Sequence, residues 1–270
     1  LNHNIVGGTL LTYDSGLKII NHYGLSNIRT SQYVNNNTLY KVASISKLIT
    51  AIGVMKLYED GLINIDHNIN DYLDFNIINP NYKNSPITIK MLLNHTSSLV
   101  DSDFYFKFLN KTQKNLDKPK ISSFFNNVSD EEIFLEKIPG TFFSYSNINY
   151  GLLAVIIEKV SKKRFDRYLD EIIFKPLNIK GGFNLNKINY QNLSTLYRNG
   201  IPQIDDFLEQ PSVNLDSYIL GENTLLFSPH SGCRITSIDL LKLIDCFLNK
   251  GTYYNGKNYV EILNSKTIDL

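Results

Sequence analysis

Apolar residues crowd positions 5–13 and again 17–23, and the Asp14-Ser15-Gly16 between them is turn chemistry, so the chain is predicted to open with a pair of strands. Asn35-Asn36-Asn37-Thr38 marks a loop. From residue 44 to residue 60 the pattern takes a helical period, with Leu48, Ile49, Ile52, Met55 and Leu57 on one side. Gly61 follows where a glycine ends a helix. Further helices are predicted over 88–94, 129–137, 147–162, 164–174 and 237–249. Ser129-Asp130-Glu131-Glu132 has capping-box form, and Ser237 and Asp239 suit the start of the last helix. Residues 98–128 and 183–225 are polar and turn-rich, and read as long irregular surface excursions. No repeat and no linker divides the chain. The pattern predicts one domain of mixed α/β (α+β) class over residues 1–270, with sheet strands in 1–40 and a mostly helical body in 41–270.

Composition narrows the function classes. With 43% hydrophobic and 20% charged residues, 270 residues can close a substantial core. Lys+Arg 27 against Asp+Glu 26 leaves a net charge of +1, which removes the electrostatic case for a nucleic-acid partner. The best apolar run, 151–157, is far short of the roughly 18 residues of a membrane span. Cys233 and Cys246 read as two buried thiols near one helix. The histidines show no ligand spacing such as i, i+4, so no metal is expected, and no organic cofactor either. Leu1-Asn2-His3-Asn4 lacks the charged and apolar regions of a signal peptide, and a start at Leu reads as a processed or trimmed end.

Chemistry concentrates in two short stretches. Ser44-Ile45-Ser46-Lys47 opens the first strong helix, and residues at i and i+3 share a helix face, so the Lys47 amine can reach the Ser44 hydroxyl. A serine becomes a nucleophile only when a neighbouring base takes its proton, and the helix N-terminus favours the developing oxyanion. The tetrapeptide alone is not diagnostic: Ser15-Gly16-Leu17-Lys18 has the same spacing inside the predicted turn, and Ser44 can equally be read as a helix N-cap. The second stretch is Ser144-Tyr145-Ser146-Asn147, which leads into the helix predicted at 147. Its phenol and carboxamide point from one loop into shared space. Tyr145 can relay the Ser44 proton to a leaving group, and Asn147 either binds a substrate amide or caps its helix.

Taken in order, these segments resemble the serine β-lactamase and penicillin-binding protein family, in its class C-like and low-molecular-weight peptidase branch. The resemblance extends to Thr38-Leu39-Tyr40-Lys41-Val42-Ala43 before the nucleophile, Tyr58-Glu59-Asp60-Gly61-Leu62 after it, and Met91-Leu92-Leu93-Asn94-His95-Thr96-Ser97-Ser98-Leu99, where Ser98 replaces the family glycine. It implies a β-lactamase/transpeptidase-like fold with a partial antiparallel sheet and a large helical region. Ser44 would be the acylated nucleophile, Lys47 its proton partner, Tyr145 the second acid/base and Asn147 a substrate contact, while the His95 segment is structural. The substrate would be a cell-wall D-Ala-D-Ala peptide, a β-lactam or a small ester, met in an extracytoplasmic or periplasmic compartment. The Tyr-Ser-Asn spelling leans to a peptidase or esterase.

One part of the family pattern fails to appear. The third motif, Lys-Thr-Gly or His-x-Gly, has its best textual match at His230-Ser231-Gly232, which makes His230 a further substrate-binding candidate. Yet Ser228-Pro229-His230-Ser231-Gly232-Cys233-Arg234 also resembles the family segment preceding the last helices. The resemblance therefore implies a chain truncated at both ends, short of the strands that carry the third motif. That leaves two functional expectations: a serine hydrolase acting through an acyl-enzyme, or a catalytically inactive member of the fold serving binding or association.

Overall fold

The two opening apolar runs pair as an antiparallel hairpin, β1 (Gly7–Asp14) with β2 (Leu17–Asn27), in a register that sets Gly7 opposite Gly24 and Asp14 opposite Leu17. The computed structural model describes residues 5–14, 17–113 and 120–270. Gly24 has φ +66°, and a Cβ there would stand 2.1 Å from the Val6 carbonyl oxygen, so only glycine lets the strands meet at this point. A short β3 (Gln32–Tyr33) adds to β2, giving the sheet order β1-β2-β3.

The chain then enters the body through β4 (Tyr40–Lys41), a single 3-10 turn over Ala43–Ile45, and α1 (Ser46–Glu59). The small helix α2 (Ile89–Leu93) starts at Thr88, whose hydroxyl accepts from the Met91 N–H. Residues 98–128 are not the irregular excursion expected. They hold α3 (Asp103–Gln113) and α4 (Ile121–Asn127), whose polar outer faces hide an aromatic inner one. Tyr105 and Phe124 are fully buried, and Phe104, Phe108 and Phe125 ring Phe124 at centroid distances of 5.6, 5.2 and 5.0 Å. The helix expected over 129–137 is only α5 (Asp130–Ile133): Phe134 turns extended and bridges Leu99, and the Leu135 N–H donates to the Ser98 carbonyl.

Helix α6 (Asn147–Ser161) forms the axis of the core. Leu152 through Ile157 are all fully buried, which requires partners on every side. Helix α1 lies against it, and Gly53 makes the approach possible: a Cβ there would sit 2.8 Å from a Leu169 methyl and 3.1 Å from an Ile157 methyl. The stretch expected as one helix over 164–174 is α7 (Phe165–Leu169) passing into a π-turn over Asp170–Phe174. Residues 183–225 are mostly loops and 3-10 turns but include a hairpin. The remaining elements are β5 (Gly181–Gly182), that hairpin of β6 (Leu196–Arg198) and β7 (Ile201–Ile204), β8 (Arg234–Ile235), α8 (Ser237–Leu248), the pair β9 (Thr252–Tyr254) and β10 (Tyr259–Glu261), and α9 (Ser265–Ile268).

A second small sheet, in the order β4-β8-β5, brings distant chain segments under α1. Both cysteines are free and buried. Among the described residues no helix is long and apolar enough to cross a membrane.

Candidate active site

Two helix starts define the site. Ser44 lies in the 3-10 turn that feeds α1, preceded by Ala43 at φ 45°, a left-handed backbone that an alanine rarely adopts. Tyr145 and Asn147 come from the loop that feeds α6. The packing of α1 on α6 closes a sequence gap of 101 residues: the Ser44 hydroxyl and the Tyr145 hydroxyl are 2.7 Å apart.

Lys47 is 6% exposed, and its amine has three neighbours. It donates to Asn147 Oδ1 at 2.7 Å and to the His230 carbonyl at 3.0 Å, and its third direction faces Ser44 Oγ at 3.4 Å. Both carbonyls can only accept, so they fix two N–H bonds of the amine. The position facing Ser44 is then an N–H in the ammonium form and a lone pair in the amine form. The same nitrogen stands 4.7 Å from the Tyr145 ring centre and 5.6 Å from that of Tyr150.

The floor under α1 is made by the segment after residue 228. Thr50 donates to the Pro229 carbonyl at 2.9 Å, Ser46 accepts from the Cys233 N–H at 3.0 Å, and the Val42 N–H donates to the Cys233 carbonyl at 3.1 Å. His230 thus reaches the site through its main chain, a different placement from the substrate-facing one expected of it. Its ring is 6% exposed, and Nδ1 has no hydrogen-bond partner among the described residues. Burial, reinforced by the charges of Lys47 and Lys41, pushes its pKa down to about 3 and keeps the ring neutral.

His95 packs against Tyr145 with ring centres 4.5 Å apart and planes tilted by 33°, and its Nδ1 accepts from the Ser146 N–H at 3.2 Å. Burial and Lys47 lower its pKa, so it too is neutral at pH 7. Behind it, the Tyr150 hydroxyl donates to the Leu93 carbonyl at 3.0 Å, and burial pushes its pKa up to about 12. Ser98, where the family pattern has glycine, adopts φ 66° and accepts from Asn79 Nδ2 at 3.0 Å, so a left-handed backbone is retained with a serine in it.

One functional-site residue escaped the sequence reading. Asp101 collects the N–H groups of Asn147 and Ile148, the Ser146 hydroxyl and the Asn147 side-chain amide on its two carboxylate oxygens. Asn147 is therefore not the cap of α6, as one reading had it; the cap is a carboxylate 46 residues upstream. No local signal could have found it, because the partner is remote in sequence. Among the described residues, no group of three or more His, Cys, Asp or Glu side chains is placed to hold a metal ion.

A serine, a buried lysine and a tyrosine converge where two packed helices begin, beside a short antiparallel sheet, which is the arrangement the family resemblance implies. Comparison with known proteins agrees. The chain matches the beta-lactamase family over residues 2–265, and it belongs to that family. It is 31% identical over 193 residues to penicillin-binding protein 4* of Bacillus subtilis, covering 69% of this chain and 39% of that protein. It is 29% identical over 178 residues to Protein flp of Staphylococcus aureus, covering 66% of this chain and 34% of that protein. The chain thus spans a little over a third of the length of these relatives. The fold is shared with a penicillin-binding protein from Bacillus halodurans (TM-score 0.68, 21% identity, 97% of this chain and 71% of that one). It is shared also with a class C beta lactamase (TM-score 0.67, 21% identity, 91% of this chain and 61% of that one).

Proposed function

We propose that this chain is a serine hydrolase that forms an acyl-enzyme on Ser44. The observation that carries the reading is the 2.7 Å contact between the Ser44 and Tyr145 hydroxyls, with the Lys47 nitrogen 3.4 Å from the serine. In the proposed cycle Ser44 Oγ attacks the substrate carbonyl while its proton is taken up by the Lys47–Tyr145 pair, with Lys47 as the serine's proton partner and the Tyr145 hydroxyl as the relay toward the leaving group. Collapse of the tetrahedral adduct expels the leaving group, which takes the proton back from Tyr145. Water then repeats the sequence on the ester and frees Ser44.

D-Ala-D-Ala peptides, β-lactams and small esters are the proposed substrates, met outside the cytoplasm. Exposed apolar side chains flank the site residues along the chain: Ile45 and Leu48 next to Ser44 and Lys47, and Phe142 and Phe143 just before Tyr145. Such flanks suit a substrate with an apolar body better than a highly charged one. The test is intact-protein mass after exposure to benzylpenicillin or a fluorophosphonate. An adduct mapping to Ser44, absent in Ser44→Ala and much slower in Tyr145→Phe, supports the reading; labelling that persists in Ser44→Ala overturns it.

The buried ring of His230 favours a second reading. If no other group fills the third-motif position, an oxyanion donor is missing, at a cost of about 10²–10³ in rate. The protein would then bind cell-wall peptide or a partner chain without an adduct at any pH.

A further inference from the structure

We infer that Asp101 is a positioning residue that sets the amide orientation of Asn147, and through it the seat of Lys47. The inference rests on the acyl-transfer reading for its consequence, though its geometry stands independently. The two oxygens of Asp101 do separate work. Oδ1 accepts from the Ser146 hydroxyl (3.1 Å) and from the N–H groups of Asn147 (2.8 Å) and Ile148 (3.1 Å), which caps α6. Oδ2 also touches the Asn147 N–H (2.9 Å), and it alone takes the Asn147 side-chain NH2, at 2.7 Å.

A carboxylate has no proton to give, so it can face only the NH2 end of that carboxamide. The carbonyl end is thereby turned the other way, onto the Lys47 amine at 2.7 Å. A flipped amide would set oxygen against oxygen at Asp101 and N–H against N–H at Lys47. Asn147 thus holds Lys47 in place only because Asp101 fixes which end points where. Capping alone needs one acceptor atom; the second oxygen, spent on a side chain two hydrogen bonds from Ser44, is what marks a role in the site.

Two substitutions separate positioning from capping. Asp101→Asn keeps a carbonyl oxygen for the cap, since asparagine caps about as well as aspartate, but it sets NH2 against the Asn147 NH2. The exchange Asp101→Asn with Asn147→Asp rebuilds the chain with roles reversed: the new amide donates to a carboxylate, whose other oxygen receives Lys47. Crystal structures of both variants are compared with the wild type, together with the rate of Ser44 labelling by a fluorophosphonate. The single variant is expected to move Lys47 Nζ beyond about 3.5 Å from side chain 147 and to slow labelling roughly 10- to 100-fold, the worth of one charge-assisted hydrogen bond. The exchange is expected to restore the contact and most of the rate. A single variant that keeps the lysine contact, or an exchange no better than the single variant, overturns the inference. Absence of labelling in the wild type would sink the acyl-transfer reading alone, because the crystallographic comparison still decides Asp101.

Discussion

Glu158 offers the sharpest test of how the body of the protein holds its site. It is fully buried near the end of α6, and four donors converge on it. Oε1 accepts from the Phe165 N–H (2.7 Å) and the Tyr218 hydroxyl (2.6 Å), while Oε2 accepts from the Gly221 N–H (2.6 Å) and the Thr224 hydroxyl (2.7 Å). Each oxygen therefore serves one backbone N–H and one hydroxyl. A hydroxyl can rotate to accept from an amide; a backbone N–H cannot. Whichever way the side chain of Glu158→Gln is turned, its NH2 meets one backbone N–H, and one buried donor goes unsatisfied. That costs about 1–3 kcal/mol. Glu158→Ala leaves both buried N–H groups and Thr224 without their acceptor. Since a buried carboxylate is itself costly, the net loss is about 3–5 kcal/mol. At roughly 2 °C per kcal/mol for a chain of this length, melting should fall by about 2–6 °C for glutamine and about 6–10 °C for alanine. Thermal unfolding followed by circular dichroism measures both. A glutamine variant that melts within about 1 °C of the wild type refutes the reasoning, because an isosteric amide would then satisfy a donor set that needs an acceptor oxygen on both sides, which a carboxyl group offers whether ionised or protonated.

Three further outcomes follow from burial and backbone geometry. Desolvation raises the Glu158 pKa above 4.5 against the pull of its four donors, so the folded state binds the proton more tightly than the unfolded chain does. The stability of the wild type relative to Glu158→Gln should then be greatest below pH 4.5 and decline as pH rises through the raised value, which urea titrations across pH would show; a gap that widens with pH contradicts it. His230 behaves in the opposite sense: with its pKa lowered from 6.5 to about 3, its contribution is complete above pH 6.5 and lost as pH falls toward 3, so His230→Leu should flatten the acid limb of stability, and an unchanged limb would count against the buried neutral ring. Gly24→Ala should destabilise by about 1–3 kcal/mol, since its Cβ would meet the Val6 carbonyl, which cannot yield; wild-type denaturation midpoints would show that the hairpin is not held as described.

How much of this was legible in the sequence depends on the range of the interaction. Helices α1 and α6 and the opening hairpin are set by period and by turn residues, both local, and they stand where the pattern puts them. Ser44 with Lys47 and Tyr145 with Asn147 could be read as two pairs for the same reason, and the family resemblance supplied the expectation that the pairs meet. Helices α3 and α4 were missed because Asn, Lys and Ser fill their outer faces and mask four phenylalanines. Asp101 and Glu158 were invisible because a carboxylate that gathers several donors is defined by those donors, and these lie 46 and 63 residues away for the Asn147 and Gly221 N–H groups. His230 was placed by spelling, and spelling cannot say whether a residue contributes its ring or its carbonyl.

These remote carboxylates also explain why an open site can be well ordered. Tyr145 is 47% exposed and Ser44 is exposed too, so neither is held by packing from above. Order comes from below, through the two carbonyls that receive Lys47. One belongs to Asn147 and is turned toward the lysine by Asp101. The other belongs to His230, whose segment follows the 3-10 turn Thr224–Phe227 that begins on Glu158. Helix α6 thus accepts an outside carboxylate at its start and presents its own near its end, and each anchors one side of the lysine. Loss of either should loosen Lys47 along a different direction: toward Tyr145 and Asn147 in one case, toward the 228–233 floor in the other.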